Sequence, residues 1–121
     1  MTPAARVQTS IELLDSIIEA ARSKGAPADR ILAEWFRNNR FAGSKDRRAI
    51  RELVFAAIRA CGPMPASGRS AMLRLGEVDE NIPALFDGSN YGPAVVRDGE
   101  GAAPGGVAPE WLEQRLAASH M

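Results

Sequence analysis

Cysteine and histidine are nearly missing from this sequence: each occurs once, as Cys61 and His120. A single thiol excludes an internal disulfide framework and any metal cluster built on several cysteines, and it fits a reducing cytoplasm. One histidine close to the end of the chain leaves no Ser–His or Cys–His pair to build a nucleophilic site on. Aromatic residues make up only 6% of the chain, so the core must be mainly aliphatic. No apolar run is long enough to span a membrane. No basic start followed by an apolar stretch suggests a leader. Net charge is also missing, because 15 Lys and Arg balance 15 Asp and Glu over 121 residues.

That balance hides two opposed halves. Residues 1–75 carry 13 basic and 7 acidic side chains, and residues 76–121 carry 2 basic and 8 acidic. Such asymmetry is itself a signal, since a cationic body can meet a polyanion whatever the total charge.

The body reads as all-α. Thr2 is a natural N-cap and Pro3 suits the first helical position. Val7, Ile11, Leu14, Ile18 and Ala21 then recur at helical spacing, with Leu13 and Ile17 widening the stripe. Gly25 is expected to stop this helix and Pro27 to open the next, with Asp29 in its first turn. Ile31/Trp35 and Leu32/Phe36 stack four apart, and Asn38 and Asn39 weaken the end. A third helix is expected between a cap at Ser44 and a stop at Gly62-Pro63, with Ile50, Leu53, Val54, Ala57, Ile58 and Cys61 on one stripe. Ala66 to Leu75 predicts a short helix and Ile82 to Phe86 another turn or two. Residues 87–109, with six Gly and three Pro in 23 positions, read as an irregular or flexible linker. Pro109-Glu110-Trp111-Leu112 opens a last helical segment with Leu112 and Leu116 on one side. The division that follows is a helical domain over 1–86, a linker over 87–109, and a leading segment over 110–121.

The third helix carries the functional signal. With Arg47 at 0° and about 100° per residue, its apolar stripe fills an arc from about 240° to 20°. Arg47, Arg51, Phe55, Arg48, Arg59 and Glu52 fall between about 0° and 140°. Arg37, Arg40 and Lys45 extend the basic stretch upstream, so residues 37–59 hold seven basic and two acidic side chains. The guanidinium fork pairs with phosphate and stacks on bases, so this pattern points to nucleic acid, with Phe55 as a stacking face. Lys45, Arg47 and Arg48 also oppose the helix dipole in the first turn, which suggests another use for them. Two plainer readings stand beside it. The face is solvated, with Arg48–Glu52 an ordinary i,i+4 pair and Phe55 packing on a neighbour. Alternatively, the arginines bind the acidic half of the chain or a partner domain.

Catalysis finds no place in these residues. Cys61 lies on the buried stripe, where a thiol behaves as a small hydrophobe. Gly99, Gly101, Gly105 and Gly106 follow no strand and form no phosphate cradle. Trp35, Phe36 and Trp111 are expected to pack in the core. No metal site and no membrane partner are expected.

Asp46-Arg47-Arg48, then Leu53-Val54-Phe55, then Ile58-Arg59 resemble the D-R-x-x-x-x-x-L-V-[YF]-x-x-[LI]-R signature of the N-terminal NusB-like domain in ribosomal RNA cytosine methyltransferases, the Fmu/Sun family. Thr2 through Ile18 is similar to the family's first helix. The stretch Phe41 to Arg48 looks like the version in alphaproteobacterial members, as do Leu85-Phe86-Asp87-Gly88 and Tyr91-Gly92-Pro93. The resemblance implies an all-α NusB-like bundle with a Gly/Pro-rich extension. In the family this domain precedes an S-adenosylmethionine-dependent domain that methylates carbon 5 of a cytosine in small-subunit (16S) ribosomal RNA. A cysteine in a Pro-Cys motif is the nucleophile there. Cys61 follows Ala60, so no catalytic or cofactor-binding residue carries over. The implied partners are ribosomal RNA and the chain's own C-terminal methyltransferase domain, and the chain is expected to be the front of a longer enzyme. The alternatives are a docking module for that catalytic domain and a NusB-like transcription antitermination factor. The RNA-binding set is Arg37, Arg40, Lys45, Arg47, Arg48, Arg51, Phe55 and Arg59.

Overall fold

The computed structural model describes residues 1–105. The expected helical segment at 110–121, with Trp111, Leu112 and Leu116, and residues 106–109 of the expected linker lie outside the described residues. Within them the chain is all-α: α1 (Pro3–Ser23), α2 (Ala28–Asn38), α3 (Ser44–Ala60) and α4 (Gly68–Val78), followed by a 3₁₀ turn at Pro83–Leu85.

Helix α1 starts as its sequence dictates. Thr2 Oγ1 accepts the Ala5 N–H at 3.1 Å, and Pro3 follows in the first turn. The helix ends one residue before the expected glycine. Lys24 takes the left-handed conformation (φ 56°), and the Gly25 N–H closes back onto the Ala20 carbonyl at 2.7 Å. That closure spans six residues and satisfies an end carbonyl, so the left-handed residue precedes the glycine. Val7, Ile11, Leu13, Leu14, Ile17 and Ile18 are all buried. An apolar surface this wide cannot be covered by one neighbour, and α2, α3 and α4 all pack on α1.

Helix α2 buries Leu32 and Phe36, while Ile31 and Trp35 lie half-buried against the same core. Its end is held by Asn39, whose side-chain amide donates to the Trp35 carbonyl at 2.8 Å. The start of α3 differs from expectation. Gly43 is the cap and Ser44 the first helical residue. The carboxylate of Asp46, three residues on, accepts the Gly43 N–H at 3.3 Å, so the acidic side chain does the capping in place of the serine. Ile50, Val54, Ala57 and Ile58 are buried, and Cys61 is buried just past the helix end. Burial pushes the Cys61 thiol upward from its ordinary pKa, as expected of a thiol kept as a hydrophobe.

Helix α4 begins two residues later than its composition suggests, because Ser67 and Ser70 form the cap. The Ser67 hydroxyl accepts the Ser70 N–H at 3.1 Å, and the Ser67 N–H donates to the Ser70 hydroxyl at 3.2 Å. Gly68, its first residue, sits directly on α1. Its N–H donates to Asp15 Oδ1 at 2.7 Å, and a Cβ there would run into the backbone of Ile11. Backbone meets backbone at this crossing, so no side chain can retreat to make room.

No helix or strand forms over residues 86–105, yet this stretch is packed against the helices. The Ala103 N–H donates to the Ser70 carbonyl at 3.0 Å, and the Gly62 N–H donates to the Pro104 carbonyl at 2.7 Å. Pro93 and Ala103 are buried. Arg69 is the clasp. It pairs with Glu100 at 2.5 Å, donates to the carbonyls of Ala94 and Val95 at 2.9 and 3.3 Å, and lies 5.0 Å from the centre of the Phe86 ring.

Two predictions follow from these contacts. Gly68→Ala is expected to lower the free energy of unfolding by about 1–3 kcal/mol, the usual cost of forcing a methyl group into a filled space. Gly101→Ala, with open space around it, should change little; urea melts of the two variants provide the comparison. The second concerns acid. The Arg69 guanidinium holds the Glu100 carboxyl down at about 2, from an ordinary value of 4.5. The unfolded chain therefore binds the extra proton first. The stabilisation from this pair is complete above about pH 4.5 and is lost as pH falls from 4.5 towards 2. Urea melts across this window should show a weaker acid dependence for Glu100→Gln than for the parent chain.

Candidate nucleic-acid interface

The end of α2 and the turn that leads to α3 carry a right-angled aromatic cluster. Trp35 and Phe36 are edge-to-face at 5.6 Å between centroids, and Trp35 and Phe41 at 6.1 Å. Two arginines of α3 reach across to this cluster. Arg51 lies 5.8 Å and Arg47 6.0 Å from the centre of the Phe36 ring, near the outer limit of cation–π attraction. Arg47 Nε also donates to the Ala42 carbonyl at 2.9 Å, which tethers its head to the α2–α3 turn. Arg37 lies in the last turn of α2, where a cation suits the helix dipole, and Arg40 lies in the turn that follows.

Arg37, Arg40, Lys45, Arg47, Arg48, Arg51 and Arg59 are all exposed. None of them comes within 4.0 Å of a carboxylate among the described residues, where the ion pairs engage Met1, Arg6, Arg69 and Arg74 instead. The Arg48–Glu52 pair allowed by the sequence does not close. Lys45, Arg48 and Glu52 border one shallow groove beside Ser44 and Ala49.

The predicted set does not form one patch. Arg37 and Arg40 border the α2–α3 turn, and Lys45, Arg47, Arg48 and Arg51 lie on the first two turns of α3. Arg59 is twelve residues from Arg47, about 18 Å along the helix axis. It lines a different groove with Arg6, Leu53, Ala56 and Leu85. Phe55 is half-buried against the core, so much of its ring is already covered.

Asp46 is the residue that charge counting overlooks. It is buried, and its carboxylate accepts from Arg6 Nε at 2.8 Å and lies 3.7 Å from the Met1 ammonium group. The Arg6 hydrogen bond is the main cause of its lowered pKa; the Gly43 N–H and the N-terminal charge add to it, and burial opposes them. Its place on the helical wheel is about 260°, inside the apolar arc, so the inward direction was available from periodicity.

A groove of about 850 Å³ runs along α1 next to the basic turn. Its lining includes Gln8, Thr9, Glu12, Phe41, Asn90 and Tyr91. Phe41 is 68% and Tyr91 80% exposed, and Tyr91 holds a left-handed backbone (φ 67°) unusual for a bulky residue. Both had stood only within stretches of family resemblance. An aromatic in a turn, outside any helical stripe, was the available signal. Among the described residues no cluster of three or more His, Cys, Asp or Glu could hold a metal ion, and no helix is long and apolar enough to cross a membrane. Comparison of the chain with protein-family models, with curated proteins and with solved structures finds no match.

Asp46→Asn keeps the shape of the side chain and removes the charge that holds Arg6 and caps α3. It is expected to lower the melting temperature by several degrees, while the exposed neighbour Lys45→Ala leaves it within experimental scatter. The parent's Asp46 contribution should be present above the ordinary range near 3.8 and fade as pH falls below it. Thermal melts by circular dichroism at neutral and acid pH check both statements.

Proposed function

We propose that this chain is an RNA-binding accessory domain, non-catalytic by itself, of a ribosomal RNA (cytosine-5-)-methyltransferase, with a NusB-like helical body. The observation that carries the RNA-binding part is the set of exposed arginines and one lysine around the α2–α3 turn without carboxylate partners. Isolated like charges on one surface repel each other, and a polyanion relieves that repulsion while releasing its own counterions. The methyltransferase part rests on the resemblance of Asp46 to Arg59 to the Fmu/Sun signature. On this reading S-adenosylmethionine and the catalytic cysteine belong to a separate methyltransferase domain, and this helical domain supplies grip on ribosomal RNA.

The principal contacts are Arg37, Arg40, Arg47 and Arg51, with Lys45 and Arg48 beside them; Arg59 makes at most a separate, distal contact. RNA affinity is expected to fall with salt, log K changing by about −0.7 to −0.9 per log unit of salt for each phosphate engaged. Reversing Arg47, Arg48 and Arg51 to Glu should weaken binding by at least tenfold and flatten that salt slope, with helical circular dichroism intact. Fluorescence anisotropy with a labelled ribosomal RNA fragment makes the measurement. Unchanged affinity after the triple reversal would show that these arginines serve another purpose, docking on a partner domain being the first to test.

A further inference from the structure

We infer that the RNA held by this face is single-stranded, with at least one unstacked base seated against Phe41 in the groove along α1. The inference rests on the RNA-binding reading above and adds the state of the nucleic acid. Phe41 stands at the border between two unlike surfaces. On one side are the cations of the α2–α3 turn, Arg40 next to it in sequence and Arg47 tied to the carbonyl of Ala42. On the other side opens the groove, with Tyr91 also on its lining. Phe41 is 68% exposed, yet its ring is braced by the edge of Trp35 at 6.1 Å. A braced, solvent-facing aromatic beside guanidinium groups without carboxylate partners suits a base face next to a phosphate. A duplex hides its base faces and offers such a ring nothing to stack on.

The charges of the groove agree with this division. Glu12 and Asp15 line it, its one arginine, Arg69, is engaged by Glu100, and the ammonium group of Met1 lies 3.7 Å from the Asp46 carboxylate. Phosphate is thus repelled from the groove and drawn to the turn, while a base, which is neutral, can enter. Glu12 accepts from the Gln8 amide at 3.0 Å, and Asp15 from the Gly68 N–H at 2.7 Å, so both carboxylates are held in place. Carboxylate oxygens accept from exocyclic amino groups of bases, and the Gln8, Thr9 and Asn90 side chains offer further polar contacts. The turn and the groove together make a phosphate–base step, which neither makes alone.

The test compares a short unstructured RNA strand with the same strand annealed to its complement, by anisotropy, on the whole chain. The parent should prefer the single strand. Phe41→Leu, which keeps an apolar side chain and loses the flat ring, should weaken single-strand binding by roughly tenfold while sparing duplex binding. Tyr91→Ala should act in the same direction, and in both variants the salt slope should stay as in the parent, because no phosphate contact is removed. Binding of both RNA forms with no effect of Phe41→Leu overturns this inference alone. Absence of binding to either form by the parent overturns the RNA-binding reading and this inference with it. If Phe41→Leu spares RNA binding but abolishes self-association in sedimentation runs, the aromatic patch is a contact between copies and the inference falls.

Discussion

The first turn of α3 has four charged residues in succession, Lys45, Asp46, Arg47 and Arg48, and the direction of Asp46 decides what the rest can do. Turned outward, its carboxylate would have neutralised one of the adjacent cations. It turns inward, caps α3 through Gly43, and is held by Arg6 of α1. One carboxylate thereby joins the N-terminal ends of α1 and α3 and is withdrawn from the surface. The cations around it are left with water, with the Ala42 carbonyl and with the Phe36 ring. Lys45, Arg47 and Arg48 oppose the helix dipole, and buried Asp46 offsets part of that cost from within the same turn.

Among the described residues, the arginines of the α2–α3 face contrast with Arg6, Arg69 and Arg74, each of which has a carboxylate partner: Asp46, Glu100 and Glu77. Arg69 alone organises much of the stretch after the 3₁₀ turn, joining Ala94, Val95 and Glu100 to α4. The acidic character of the second half has a structural use here, since Glu100 is consumed by Arg69. The sequence left open whether the acidic half folds back on the basic face; among the described residues the ion pairs it makes go to α4 instead.

The helical plan was legible because it rests on local signals: Thr2 and Pro3, the apolar period of α1 and α3, and the weak end at Asn38. What escaped depends on contacts between distant residues. Ser44 has the chemistry of a cap, but the inward pull of Arg6 places Asp46 where it caps instead, and no local rule contains Arg6. Gly68 lies inside the expected Ala66 to Leu75 helix with nothing to mark it until α4 is laid on the backbone of Ile11. Residues 87–105 read as linker because Gly and Pro dominate. Their order comes from Arg69, Ser70 and Gly62, which are distant in sequence. For the candidate interface, the helical wheel gives the angle of each arginine but not its distance along the axis. Angle puts Arg59, at about 120°, beside Arg48, at about 100°; eleven residues of helix separate them.

Phe36 gives the basic turn more than proximity. Its ring is buried, so it cannot be a ligand platform itself, yet Arg47 and Arg51 both lie near its outer face. A guanidinium approaching an aromatic ring gives up some of its freedom while its N–H donors can remain available to an acceptor in solvent. The side-chain entropy that an arginine ordinarily loses on meeting a phosphate is then partly lost already in the free protein. Arg47 is restrained further by the Ala42 carbonyl, whereas among the described residues no comparable tether holds Arg37 or Arg40. A surface that mixes restrained and loose guanidinium groups suits an irregular backbone better than a regular one. The restrained pair can set a register, and the looser residues can follow phosphates whose spacing varies. Of the two forms of RNA, the single strand has that variable spacing, so on the proposed reading the unequal tethering of these arginines and the exposed ring of Phe41 favour the same form.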